Sequence, residues 1–345
     1  MKVAVLTGGG DCPGLNAVIR AVVRRASEHG FEMMGLRDGW KGLLEDNHFR
    51  LTRETTSGIL HRGGTILGTS RVNPFKVEGG LEKVKRAVER NGIHAILAIG
   101  GEGTLSAATR MSQEGLRIVG VPKTIDNDLN GTDFTFGFDT AVMIATDAID
   151  RLHSTAESHK RVIVCEVMGR HVGWIATYAG IAGGADVILV PEIPADLASV
   201  AEHIQRRHAS GRSFSIVVVA EGTRVKVSED KGEQLITSGA LDEAGRPRLG
   251  GVGGIVAHEI ERRTGFETRV SVLGHIQRGG VPTAHDRVLA TRYGVHACDM
   301  VARGEFGKMA SLRGNEIVSV DLSLATKELK RVPEEFFKVA EVFFG

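Results

Sequence analysis

At 345 residues the chain is long enough for two ordinary domains with a sizeable core, and its formal net charge is only +1. Such a balance excludes a global pull toward nucleic acid or a membrane surface, so any anion site has to be built locally from individual basic residues. Three cysteines, Cys12, Cys165 and Cys298, are too few and too scattered for a disulfide framework or a zinc knuckle, and a reducing cytoplasm is the expected compartment.

The opening MKVAVLTGGG reads as a short strand, Val3 to Leu6, running into a turn; it holds no apolar run long enough for a signal peptide or a membrane span. A helical pattern follows over Leu15 to Ser27, another over Leu81 to Arg90, then strands over Ala95 to Ile99 and Ile118 to Val121. Further on come a helix over Ala141 to Ala156, strands over Val162 to Val167, Val187 to Val190 and Ile216 to Ala220, a helix over Val252 to Arg263, and a strand over Arg269 to Leu273. The hydrophilic stretch Lys226 to Leu249 lacks periodicity and reads as a surface excursion between a strand and a helix. Short β-branched runs alternating with amphipathic ones predict an α/β fold with mostly parallel sheets, divided near Gly137.

Ligands in such folds bind beyond the carboxyl ends of the strands. Those ends carry GGGDCPG, GGEGT, PKTIDND, EVMGR, PEIP, AEG and GHIQRGG. Forty-five glycines fit loops that let backbone approach a ligand closely. In GGGDCPG, amides of Gly8 to Asp11 could converge on an anion, or the segment is simply a tight turn. GGEGT adds Glu102, either a metal-binding carboxylate or a first-turn acid that complements a helix dipole. PKTIDND sets Thr124, Asp126 and Asp128 together, which suits one carboxylate as base toward a hydroxyl nucleophile and another near a metal; Asx turns are the cheaper account. Arg161, Arg170, Arg269 and Arg278 all lie at ends of strand-like runs, with His275 nearby, and could gather on a phosphate; surface ion pairs are their commoner fate. Met168 and Cys165 read as packing residues, and His61, His153, His159 and His171 have no metal-ligand spacing.

GGGDCPGLNAVIR, GGEGT, PKTIDND, EVMGRHVGW, VVVAEG and ETRVSVLGHIQRGG, in this order between Lys2 and Ala297, resemble the bacterial 6-phosphofructokinases. The resemblance is to the ATP-dependent type that shares features with the pyrophosphate-dependent branch. It implies two Rossmann-like lobes: residues 1–137 with about 280–325 for the nucleotide, 138–279 for the sugar phosphate, and a tail over 326–345. The implied reaction is Mg²⁺-dependent transfer of the ATP γ-phosphoryl group to the 1-hydroxyl of fructose 6-phosphate.

Carried over, Asp126 becomes the base, with Asp128 shaping the metal and charge environment and Thr124 touching the sugar or the transferred group. Gly10, Arg71 and Arg170 would stabilise the moving phosphoryl oxygens. Met168, Gly169, Arg170 and Glu221 would line the sugar pocket, and His275 and Arg278 would hold the 6-phosphate. Arg161 and Arg269 would reach it across a subunit interface of a homotetramer, a dimer of dimers. Arg71, Val72, Gly101, Glu102, Gly103 and Thr104 would take the nucleotide, with Glu102 on the metal. No nucleic-acid or membrane partner is expected.

Three positions depart from the family pattern. Glu102 stands where many relatives have Asp, a longer arm that a hydrated Mg²⁺ accommodates. Gly103 matches ATP-using relatives, whereas Lys123 matches those that use pyrophosphate. Lys123 is expected to be flexible and to add only positive charge, so Gly103 decides for ATP. Of an effector pocket, Arg20, Arg24, Arg53, Arg212 and Asp186 survive in some form, while His153, Ser210 and Phe214 differ, which leaves the effector unassigned. The rival readings are a pyrophosphate-dependent enzyme, a lipid or NAD kinase sharing the glycine-acid-glycine loop, and a silent sugar-phosphate-binding subunit.

Overall fold

The computed structural model describes residues 1–226, 233–241, 247–342 and 344. In chain order the first elements are β1 (Lys2–Gly8), α1 (Leu15–Glu28), β2 (Glu32–Leu36), α2 (Lys41–Leu44), β3 (His48–Leu51), α3 (Gly80–Arg90), β4 (Ala95–Gly100), α4 (Glu102–Gln113), β5 (Ile118–Pro122) and α5 (Phe138–His159). Next come β6 (Val162–Val167), α6 (Trp174–Ala182), β7 (Val187–Leu189), β8 (Ala195–Asp196), α7 (Leu197–Ala209), β9 (Ser215–Ala220), β10 (Arg224–Lys226), β11 (Glu233–Leu235), β12 (Thr237–Leu241) and β13 (Pro247–Leu249). The chain ends with α8 (Val252–Thr264), β14 (Thr268–Val272), α9 (Ala284–Arg303), β15 (Lys308–Arg313), β16 (Glu316–Asp321), α10 (Leu324–Lys327) and α11 (Glu334–Glu341).

These elements form two compact units, Met1–Thr140 with Arg278–Leu329, and Ala141–Gln277 with Lys330–Gly345. The first is built on a seven-stranded sheet in the order β16-β15-β5-β4-β1-β2-β3. Its interior strands run parallel, and β3 and β16 close its edges antiparallel. β4 is buried along its whole length, and β1 everywhere but Lys2, as strands covered on both faces by helices must be. The second unit holds a parallel sheet in the order β14-β6-β9-β7. The stretch 326–345, set apart as a tail on sequence, is shared between the units, because Leu329 pairs with Leu129 in the first while Lys330 is bonded to Trp174 in the second.

The excursion after β9 is not irregular throughout. β10 pairs with β8 and β11, and β12 pairs with β13 in a hairpin. The rest of it, 227–232 and 242–246, lies outside the described residues. β10 and β11 are three-residue strands whose side chains are exposed apart from Val225, too short and too polar to leave a period in the sequence.

One buried acid fixes the second unit's architecture. Glu166 is 2% exposed, and its carboxylate accepts N–H from Gly251 (3.1 Å) and Gly253 (2.7 Å) at the start of α8. A charge at a helix N-terminus satisfies orphan amides and complements the helix dipole. Glu166→Ala is therefore expected to lower stability by about 2–4 kcal/mol, and Glu166→Gln by less; an unchanged urea midpoint in the alanine variant would contradict the cap.

Candidate active site

Strand register sets the site in the first unit. Gly8 of β1 lies opposite Gly100 of β4, which lies opposite Pro122 of β5, so three loops leave adjacent strands at one level. In the first loop the carbonyls are pinned: Gly9 accepts from the Thr69 hydroxyl (2.7 Å), Gly10 from Lys123 Nζ (2.5 Å) and Asp11 from Arg278 Nη1 (3.2 Å). Across a trans peptide the N–H points opposite to the C=O, so the amides of Gly10 and Asp11 face away from these donors. Gly10 has no room for a side chain, since a Cβ there would lie 2.8 Å from Arg278 Nη1.

Lys123 departs from expectation. It is 3% exposed, held against the Gly10 carbonyl, and burial holds its amine below the usual lysine range. It is a fixed internal strut rather than a flexible surface cation, because its backbone N–H continues the sheet ladder to Gly100 and directs the side chain inward. Thr104, expected to meet a nucleotide, is also buried. Its side chain fills the space above Gly8 and Gly100, where added Cβ atoms would come within 2.5 and 2.4 Å of it.

After β5 the chain alternates: Lys123, Ile125, Asn127 and Leu129 are buried, while Thr124, Asp126 and Asp128 are half-buried. Asn127 takes a left-handed φ of 52° and its Oδ1 accepts from the Thr135 amide at 3.1 Å, which locks the turn that displays both aspartates. The Thr124 hydroxyl accepts from the Asp126 amide at 3.1 Å. Asp126 Oδ1 and Asp128 Oδ1 are both buried with no hydrogen-bond partner among the described residues. Burial, with the Asp126 charge second, pushes the Asp128 carboxyl up from 3.8 to about 7.

Glu102 opens α4, is exposed, and its charge also acts on Asp128. Three oxygen donors of this kind fit Mg²⁺, a hard cation that keeps several waters and takes one or two carboxylates plus substrate phosphates. Among the described residues no three His, Cys, Asp or Glu side chains are grouped so as to hold an ion by themselves. Gly101 and Gly103 lie beside Glu102, and a Cβ at Gly103 would meet nothing within 4 Å. Arg71 is exposed and Val72 half-buried, just ahead of a short 3₁₀ turn capped by Asn73.

Register does the same in the second unit. Glu166 lies opposite Val272, and Val167 opposite Ala220, so Met168–Arg170, Glu221 and the segment leading to His275 leave β6, β9 and β14 together. Gly222 is obligatory, because a Cβ there would lie 2.0 Å from the Arg170 carbonyl; its amide donates to the Gly169 carbonyl at 3.1 Å. Met168 is buried and His275 exposed.

Within the second unit, Arg161 and Arg269 lie apart from Arg170. Arg161 precedes β6 and Arg269 opens β14, at the amino ends, roughly 20 Å along the strands from Arg170. Both pair instead with Glu267, Arg161 Nε at 2.8 Å. Arg278 belongs to the first unit, against Gly10 and Asp11. Sequence patterning finds strand ends but not which end faces the ligand loops.

Parallel sheets with glycine loops, paired carboxylates and buried cations at their carboxyl ends define an α/β protein equipped for phosphate chemistry. The phosphofructokinase family model matches residues 2–301. The chain is 57% identical, over the full length of both, to the pyrophosphate–fructose 6-phosphate 1-phosphotransferase of Amycolatopsis methanolica. It is 54% identical, over 99% of both, to the ATP-dependent 6-phosphofructokinase 3 of Streptomyces coelicolor. Phosphofructokinase from Saccharomyces cerevisiae superposes with a TM-score of 0.80 at 30% identity, over 99% of this chain and 46% of the yeast chain. The chain belongs to the phosphofructokinase family and has its fold.

Asp128 makes a pH-dependent contribution. The folded protein keeps its proton to about pH 7 while the unfolded chain releases it near 3.8, so stability from this group falls as pH rises between those values. Asp128→Asn is expected to melt above the unmodified protein at about pH 8, and this advantage should shrink to nothing only at about pH 3, below the unfolded-state value. Equal melting at both values would contradict the shift.

Proposed function

We propose that the protein transfers the γ-phosphoryl group of ATP to the 1-hydroxyl of fructose 6-phosphate, yielding fructose 1,6-bisphosphate and ADP. The observation that carries this reading is the pair of half-buried aspartates, each with a buried Oδ1 that has no hydrogen-bond partner among the described residues, following a strand level with two glycine loops. In it Asp126 accepts the hydroxyl proton as the sugar oxygen bonds to phosphorus and the bond to the β-phosphate oxygen breaks. Thr124 and Asp128 flank that event. The Gly10 amide, Arg71 and Arg170 face the developing charge. Glu102, beside the two aspartates, would hold Mg²⁺, which when bound offsets phosphate charge.

The first unit takes the nucleotide through Arg71, Val72 and Gly101 to Gly103. The second takes the sugar through Met168, Gly169, Arg170 and Glu221, with His275 for its 6-phosphate; Arg278 is assigned to the same phosphate. Arg161 and Arg269, at the far ends of their strands, serve a neighbouring copy in a homotetramer; the exposure of Val270 (42%) and Val272 (57%) on the edge strand β14 supports such a contact. A cytoplasmic setting is in keeping with a described chain in which no helix is long and apolar enough to cross a membrane.

Donor choice is where the relatives divide, since close ones are named for pyrophosphate and for ATP. The open space at Gly103 supports ATP, because an α-phosphate can pass where a longer side chain would stand. Lys123, tied to the Gly10 carbonyl, is withdrawn from that choice.

With each donor supplied in turn, fructose 1,6-bisphosphate should form with ATP and hardly at all with pyrophosphate; the reverse would overturn the donor. A Cβ at position 103 meets no protein atom within 4 Å, so Gly103→Asp should fold normally yet lose ATP use. Unchanged ATP kinetics in that variant would refute the steric and charge argument.

A further inference from the structure

The loop between β6 and α6 carries Met168, Gly169 and Arg170, and its far end is tied to the C-terminal segment through one carboxylate. Glu192, just after β7, has an Oε1 that accepts the Gly173 amide at 3.0 Å and the Val332 amide at 3.0 Å. Gly173 is the N-cap of α6 and has no side-chain cap of its own, so Glu192 supplies the anionic acceptor that this helix start lacks. Beside it, Trp174 Nε1 donates to the Lys330 carbonyl at 2.8 Å, and the Lys330 ammonium lies 5.1 Å from the Trp174 ring centroid. Phe336 of α11 packs on Trp174 and Tyr178, with centroids 6.1 and 5.2 Å away.

α11 also buries Phe337 and Ala340, and a cavity of about 370 Å³ beside it is lined by Val190, Ile193, Val332 and Phe337 next to Glu192. The opposite end of the loop is held independently, by the β6 ladder and by the Gly222 amide on Gly169. The tripeptide Arg170–Val172 thus runs between the β6 ladder and the Glu192 carboxylate, which also receives the Val332 amide.

We infer that Glu192 is a positioning residue, and that the C-terminal segment acts through it to set the sugar-facing loop. The inference rests on the function proposed above for Arg170. Loss of the anchor lets the loop drift, and a misplacement of about 1 Å in a positioned group is enough to weaken binding tenfold or more. The binding effect falls on the sugar phosphate and spares ATP, because Gly101 to Gly103 belong to the other unit, while kcat falls with it because Arg170 also serves the transferred group.

The test uses the full-length chain. Glu192→Ala should raise KM for fructose 6-phosphate about tenfold while KM for ATP stays within about twofold, and amide exchange over 169–173 should quicken. Glu192→Gln, which keeps an acceptor oxygen, should restore both readouts. Trp174→Phe, which keeps the ring and loses the N–H, should move the sugar KM the same way by a few-fold. A sugar KM within about twofold of the unmodified enzyme in Glu192→Ala, equal changes in both KM values, or unchanged exchange over 169–173 would each overturn the inference. If the unmodified protein does not phosphorylate fructose 6-phosphate, the functional reading fails instead, and the exchange measurement still decides whether Glu192 holds the loop.

Discussion

The structure depends on strand register. Because Gly8, Gly100 and Pro122 are level across three adjacent parallel strands, backbone amides, an acidic helix start and two aspartates emerge at the same height without any long-range adjustment. A slip by one residue would turn every side chain of a strand to the opposite face. It would bury Asp126 and Asp128 and expose Ile125. The continuous apolar faces of β1 and β4 are therefore as much part of the site as the polar residues that follow them.

Charge is the second constraint. Carboxylates whose oxygens lack partners are unfavourable under burial, and here one of the pair keeps its proton to about pH 7. Cations offset this only at a remove: Lys123 and Arg278 are spent on the carbonyls of Gly10 and Asp11, which orients the loop rather than neutralising the acids. Such unfavourable electrostatics persist where a ligand resolves them.

Much of this was legible in the residues. Apolar strands such as Val162–Val167, and helices such as Leu15–Glu28, announce themselves because burial on both faces or on one stripe leaves a period. PKTIDND and GGEGT stood out because acids and glycines at strand ends have few other reasons to cluster. What was hidden depends on partners remote in sequence. Lys123 is a strut only because Gly10 lies across two strands, and Glu192 matters only through Gly173 and Val332. Arg161 and Arg269 show the same limit, since a strand run does not reveal which of its ends lies beside the ligand loops.

The central claim is that the Asp126 carboxylate takes the proton from the attacking sugar hydroxyl. Single-turnover phosphoryl transfer from ATP, measured for Asp126→Ala beside equilibrium binding of fructose 6-phosphate, tests it most directly. The account predicts transfer slowed by about 10²-fold or more with sugar-phosphate affinity largely intact. Transfer at a near-normal rate in that variant would contradict it.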